Sequence, residues 1–256
     1  MDPKFRLSLA CLLLLTGANA VQAELAKDAS TDQILDALHD VGRDLKTLAA
    51  DVKLIDQDTD LGDDPKTQSG RLVLQRLPDG DIQIRITFDK RVIGKREVPK
   101  YRRDFVLNGT TLIERDWNAD PKKETVRTLA APGQKLDLFK LGQGPFPLPI
   151  GQPRESVLKE FDVKLVAPEG APADRLAIEL TPKPKTALAS KYKRIVVTVR
   201  RSDGWPVEVQ TTDQNETQVT RAMLDNIRVN DAVKPAEFDL EPIDDSWTKI
   251  YEAYKE

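Results

Sequence analysis

The sequence predicts a mainly β protein with flanking helices, built as one strongly curved antiparallel sheet or half-open barrel. Three observations predict it. A helical apolar stripe occurs near the start, at Ile34, Leu38, Val41, Leu45 and Leu48. From about Asp51 onward the apolar period falls to two. Between the alternating segments stand Pro78-Asp79-Gly80, Asn108-Gly109, Asp203-Gly204 and Asp213-Gln214-Asn215, the chemistry of short turns.

The first 23 residues read as a secretory signal peptide. Lys4 and Arg6 precede the apolar run Leu7–Leu15, and small residues follow at Gly17-Ala18-Asn19-Ala20 and Val21-Gln22-Ala23. That run is too short to span a bilayer. Cleavage fits after Ala20 or after Ala23, and Ala23 is preferred. Cys11 lies inside the run with Leu12–Leu15 still to come, whereas a lipid-modified cysteine should close it. Cleavage removes the only cysteine, so the exported chain is expected to hold itself together by its core. It also removes Lys4, Arg6 and Asp2, which leaves 37 basic against 41 acidic residues. These charges are interleaved, which argues against nucleic acid, since phosphate binding needs a basic stripe. No later run is apolar enough to cross a membrane.

Ser30-Thr31-Asp32-Gln33 has the spacing of a capping box at the start of the helix. Strands then follow in order. Leu72 and Leu74 alternate with Arg71, Val73 and Gln75; Ile82, Ile84, Ile86 and Phe88 alternate with Gln83, Arg85 and Thr87. Further strands read at Phe105–Leu107, Thr111–Trp117, Glu124–Leu129, Phe161–Val166, Arg175–Leu180, Arg194–Arg200, Val207–Thr211 and Thr217–Val229. One apolar and one charged face, repeated through short turns, is an antiparallel meander. Ten or so such strands expose a large apolar face unless the sheet curls, which places the first helix inside or against the concave side. The expected organisation is signal 1–23, one domain over 24–243 and a C-terminal helix over 244–256. Trp247, Ile250, Tyr251 and Tyr254 form that helix's apolar stripe, serving packing or docking.

One segment interrupts the strands, Lys135–Glu160. Within it Gly144–Pro153 carries Phe146, Leu148 and Ile150 on a backbone broken by four prolines. Proline cannot donate to a ladder or continue a helix, so these side chains sit on something that is neither. Gln152–Glu160 then reads as a short helix with Pro153 in its first turn.

Candidate chemistry is sparse. Asp56-Gln57-Asp58-Thr59-Asp60-Leu61-Gly62 approaches a calcium loop, but the glycine is one place late and Thr67 stands where a bidentate Glu belongs. It reads as an acidic hairpin tip. His39, the only histidine, sits off the helix's apolar face and reads as exposed. No G-x-S-x-G, cysteine nucleophile or histidine cluster is present, so no catalytic residue, metal or cofactor is expected. Arg76 shares strand parity with Leu72 and Leu74, and so points toward the apolar side unless it is a surface residue at the strand's end. There its donors must be paired.

The order of motifs resembles the bacterial periplasmic outer-membrane lipoprotein carriers (LolA-like), over about Thr31–Ile243. Gly70-Arg71-Leu72-Val73-Leu74-Gln75-Arg76 is similar to the family's G-x-L-x-x-x-R strand, with Leu77 intervening before Pro78. Asn108-Gly109-Thr110-Thr111-Leu112 is similar to its D-G-x-x-L hairpin. Leu180-Thr181-Pro182-Lys183 matches an L-T-P-K, and Phe238-Asp239-Leu240-Glu241-Pro242 the closing F-x-x-x-P. The resemblance implies a half-open barrel with a helical or proline-rich lid over an apolar cavity. It implies a periplasmic, non-enzymatic carrier of lipoprotein acyl chains or another lipid, working between an inner-membrane donor and an outer-membrane acceptor. Phe146, Leu148 and Ile150 fall where the family places its lid, and Arg76 matches the arginine that latches it. Leu72, Leu74, Ile82, Ile84, Ile86, Phe88, Phe105, Leu107, Ile178, Leu180, Ile195, Val197 and Val199 then line the cavity or fill the core. The alternative is an envelope protein-binding sensor, whose interior could be filled solidly by the first helix.

Overall fold

The computed structural model describes residues 24–60, 62–131, 133, 134, 136, 150–167, 170 and 172–254. The expected signal peptide, Phe146 and Leu148 lie outside them. Helix α1 (Thr31–Arg43) opens on the capping box read from the sequence: Ser30 Oγ accepts from the Gln33 amide, and Gln33 Oε1 from the Ser30 amide. The helix is shorter than its apolar stripe. Leu48 belongs to strand β1 (Thr47–Asp58), where it, Ala50, Val52 and Leu54 alternate, so the change of period falls at Thr47 rather than Asp51.

The remaining strands are β2 (Lys66–Arg76), β3 (Ile82–Ile93), β4 (Arg96–Val98), β5 (Arg103–Asn108), β6 (Thr111–Asp116) and β7 (Lys123–Thr128). After helix α2 (Arg154–Glu160) come β8 (Phe161–Val166), β9 (Arg175–Pro182), β10 (Tyr192–Arg200), β11 (Pro206–Asp213), β12 (Gln218–Val229) and β13 (Thr248–Glu252). Among the described residues thirteen strands form one curved, unclosed sheet, ordered β13-β7-β6-β5-β3-β2-β1-β12-β11-β10-β9-β8, with β4 on β3. All pairings are antiparallel except β13 on β7. At the β2–β3 bulge the backbone of Thr87 comes so near Gly70 that a Cβ there would lie 1.8 Å from its carbonyl oxygen, which is why this strand needs glycine. No helix of the described residues is long and apolar enough to cross a membrane.

The concave face holds the core. Ile34, Leu35, Leu38 and Val41 of α1 join Leu48, Leu72, Leu74, Ile84, Ile86 and Phe88 of the sheet in one buried cluster. Val157 of α2 and Phe161 belong to the same cluster.

The convex face is covered differently, and here one expectation fails. The described residues 244–254 are not a helix: Thr248–Glu252 form β13 beside β7. Thr248, Ile250 and Tyr251 are strand formers, and the open edge of β7 offers them a ladder that an isolated helix lacks. Trp247 is buried against Trp117, ring centroids 4.8 Å apart and nearly perpendicular. Beneath this segment sits Asp104, fully buried. Its carboxylate accepts from Thr87 Oγ1 at 2.7 Å and Trp117 Nε1 at 2.7 Å, and pairs with Arg102 at 2.9 Å and Arg85 at 3.3 Å.

Burial pushes the Asp104 pKa up, but the hydrogen bonds from Thr87 and Trp117 and the charges of Arg102 and Arg85 outweigh it, and the pKa is lowered. Such a carboxylate stabilises the fold above its unfolded pKa, about 3.9, and loses that contribution as pH falls through the folded value. Asp104→Asn is expected to cost about 2 kcal/mol at neutral pH, less than a fully buried pair because Arg102 is part-exposed. Urea unfolding checks this, and the gap to wild type is expected to narrow below about pH 4.

Candidate functional site

The concave face is not filled everywhere. On the central strands its inward positions include Ala50, Thr211, Thr220 and Ala222, all short. Beside the last three lies a cavity of about 290 Å³. Its apolar wall is Val52, Leu54, Leu72, Ile86, Pro206, Val209, Ala222 and Leu224. Tyr192, Glu208, Thr211, Asp213, Gln218 and Thr220 complete the lining. The volume stands at the lower end of ordinary ligand pockets, roughly 300–1,000 Å³.

Three of the polar members are engaged within the chain. Glu208 pairs with Arg221 at 3.0 Å, and Thr220 Oγ1 donates to Asp56 at 2.8 Å. Asp213 accepts from the Gln218 amide and from Thr217 Oγ1, each at 2.9 Å, and the Gln218 bond leads in lowering its pKa. What the wall offers is therefore non-directional apolar contact, suited to a hydrocarbon chain.

Of the residues expected to line a cavity, Leu72 and Ile86 do so. Leu74, Ile82, Ile84, Phe88, Leu107, Ile178, Leu180, Ile195, Val197 and Val199 are closed into the core, and Phe105 packs against it. The sequence reading missed Val52, Leu54, Val209, Ala222 and Leu224. Their signal is the alternation in β1, β11 and β12, and it marks an inward face without telling a filled core from a cavity.

The second half of the site is where the proline-rich segment rejoins the described chain. Ile150 is fully buried in the core. Gly151 lies on α1: its amide donates to Leu38 O at 2.9 Å, and its carbonyl oxygen meets His39 Nδ1 at 2.9 Å. His39 is thus part-buried and engaged, not the exposed residue expected. The approach requires glycine at position 42, because a Cβ there would sit 2.2 Å from the Gly151 nitrogen.

Arg76, the last residue of β2, has its described acceptors at and just beyond the end of α1. Nε donates to Leu45 O at 3.1 Å and Nη2 to Gly42 O at 3.3 Å. These carbonyls lie at and just beyond the helix's C-terminal end, where partial negative charge collects, so a cation is doubly favoured. Lys183 does the same for α2, donating from Nζ to Leu158 O at 2.7 Å. Arg154 ties α2 to α1 through Asp36 at 2.7 Å. Each covering helix is therefore fastened to the sheet by a cation at its C-terminal end.

No family model and no curated protein sequence matches this chain. Among solved structures it is similar to the Pseudomonas aeruginosa MucA/MucB complex, with a TM-score of 0.45, 12% identity, and coverage of 82% of this chain and 60% of that one. It is also similar to a putative outer membrane lipoprotein-sorting protein domain from Vibrio parahaemolyticus, with a TM-score of 0.35, 12% identity, and coverage of 80% and 94%. A LolA superfamily protein from Nitrosomonas europaea gives a TM-score of 0.33, 9% identity, and coverage of 80% and 96%. The chain spans only 62% and 60% of the MucB-containing chains it matches.

Gly42→Ala is expected to push Gly151 off α1 and destabilise the protein by about 2 kcal/mol, the usual cost of overpacking a tight contact. The measurement is the urea midpoint at unchanged m-value.

Proposed function

We propose that the chain is an exported, periplasmic binding protein that shelters an apolar chain, a lipoprotein acyl chain or another lipid, without catalysing a reaction on it. The observation that carries this reading is the cavity walled by Val52, Leu54, Leu72, Ile86, Val209 and Leu224 on the concave face. Each methylene moved from water into such a place contributes roughly 0.8 kcal/mol, so ten of them contribute on the order of 8 kcal/mol. In this reading Phe146, Leu148 and Ile150 belong to a cover over the apolar interior. Arg76 is its latch acting at one remove, because it fixes the end of α1 on which Gly151 rests. An inner-membrane donor and an outer-membrane acceptor are the partners such a carrier needs.

A second reading, a protein-binding sensor, is favoured by one observation. Helix α1 and the sheet fill most of the concave face, and the cavity left is small for a whole lipoprotein anchor.

A fluorescent fatty-acid probe separates the two. Under the carrier reading wild type binds the probe and unlabelled fatty acid displaces it. Ala222→Phe, which places a ring in the cavity, is expected to weaken binding at least about tenfold, the equivalent of roughly 1.4 kcal/mol. Its thermal midpoint should stay within a few degrees of wild type. No displaceable binding by wild type, or equal binding by the variant, would sink the carrier reading and leave the sensor.

A further inference from the structure

The other face of the sheet carries a second recognition surface, independent of the cavity. Four arginines from neighbouring strands aim at the C-terminal segment 230–254. Arg71 of β2 pairs with the Glu237 carboxylate at 2.7 Å. Arg85 of β3 donates to Asp239 O at 2.5 Å and Glu237 O at 3.4 Å. Arg102, just before β5, pairs with the Glu241 carboxylate at 3.0 Å. Arg115 of β6 donates to Glu241 O at 2.5 Å. The strands β2, β3, β5 and β6 are consecutive in the sheet, so these side chains form a row across it.

We infer that this row is a binding face for acidic peptides, occupied in the structure by the chain's own C-terminal segment. That segment carries seven acidic and two basic residues. Its contacts divide into two kinds. Main-chain carbonyls at 237, 239 and 241 take donors from Arg85 and Arg115; Glu237 lies in a single 3-10 turn, Pro235–Phe238, and Asp239 leaves that turn in extended conformation. Carboxylates at 237 and 241 take Arg71 and Arg102, and only an acidic peptide offers those. Guanidinium forks suit both acceptors.

The occupant is also displaceable in principle without unfolding the sheet. Strands β2 to β7 hold one another by their own ladders, with no strand of the segment between them. The outer ion pairs are half-exposed, at 52% for Arg71 and 60% for Glu241, where such pairs contribute little. The occupant's anchors are Trp247 against Trp117, the buried Phe238, the β13 ladder on the edge of β7, and the Arg127–Glu252 pair at 2.6 Å. Tethering gives the segment a millimolar effective concentration, so a partner peptide competes weakly until an anchor loosens.

The probe is a labelled peptide with the sequence of residues 235–252, followed by fluorescence anisotropy against the full chain. Trp247→Ala is expected to bind it at least about tenfold more tightly than wild type, the equivalent of roughly 1.4 kcal/mol and within the cost of truncating a buried tryptophan anchor. Glu241→Lys, which releases one exposed pair, is a second loosened chain and is expected to show the same direction should Trp247→Ala fail to fold. A peptide with lysine in place of both glutamates that match Glu237 and Glu241 should bind neither. Adding Arg85→Ala to a loosened chain should abolish the gain. The inference is overturned if no folded, loosened variant gains affinity, or if the lysine peptide binds equally well. Strap exchange between two copies, seen as a dimer that takes up no peptide, would overturn it too.

Discussion

A single-layered sheet has two faces, and each must be kept from water by something that is not the sheet. In this chain the covers are unlike one another. The concave face is closed by two helices whose apolar sides join the core and whose C-terminal ends are pinned by Arg76 and Lys183. The convex face is closed in its β2–β7 half by the C-terminal segment, a 3-10 turn followed by irregular chain and edge strand β13, held through arginines, one tryptophan pair and the β7 ladder. Where the inward side chains shorten to Thr211, Thr220 and Ala222, the concave cover leaves a cavity.

The glycine contact between α1 and the returning chain shows why that cover is positioned so closely. Two backbones meet at Gly42 and Gly151 with no side chain between them. The amide of Gly151 shares Leu38 O, and Arg76 meanwhile satisfies Gly42 O a short distance away. Polar backbone groups on both sides of the contact are thereby paired, which lets an irregular segment approach a helix without stranding a donor or acceptor. Ile150 then carries apolar burial straight into the core from the residue next door.

Much of the sheet was legible because period-two alternation survives wherever one face is apolar. The strand at Phe161–Val166 and the capping box at Ser30 stand where the sequence places them. Two boundaries were not legible for one shared reason. Leu45 and Leu48 continue a helical spacing by coincidence while Leu48 begins a strand's alternation with Ala50 and Val52. Trp247, Ile250, Tyr251 and Tyr254 likewise sit at helical spacing, yet an open strand edge takes Ile250 and Tyr251. Spacing over four or five residues cannot tell the two apart; the available partner decides. Strand parity alone left Arg76 either inward or at the surface of the strand's end; two of its acceptors are carbonyls at the end of α1. Its partner stayed hidden because helix-end carbonyls become acceptors only once the helix is known to stop at Arg43.

The two faces share strands residue by residue. Leu72 walls the cavity while Arg71, its neighbour, holds Glu237 on the opposite side. Ile86 walls the cavity while Arg85 holds Asp239. Alternation in a pleated strand places these pairs back to back across one layer. Side-chain changes at 72 or 86 therefore address the concave site alone, and changes at 71 or 85 the convex cover alone. A backbone change in either pair, such as proline, disturbs both, because Leu72 and Ile86 face each other in the same β2–β3 register. An arginine on β3 that is outward by parity is accordingly no neutral surface position: Arg85 is tied to Asp104 below and to the C-terminal segment above. The same strands thus carry an apolar wall and an arginine row, and the chemistry of each is set by side-chain choice at alternate positions.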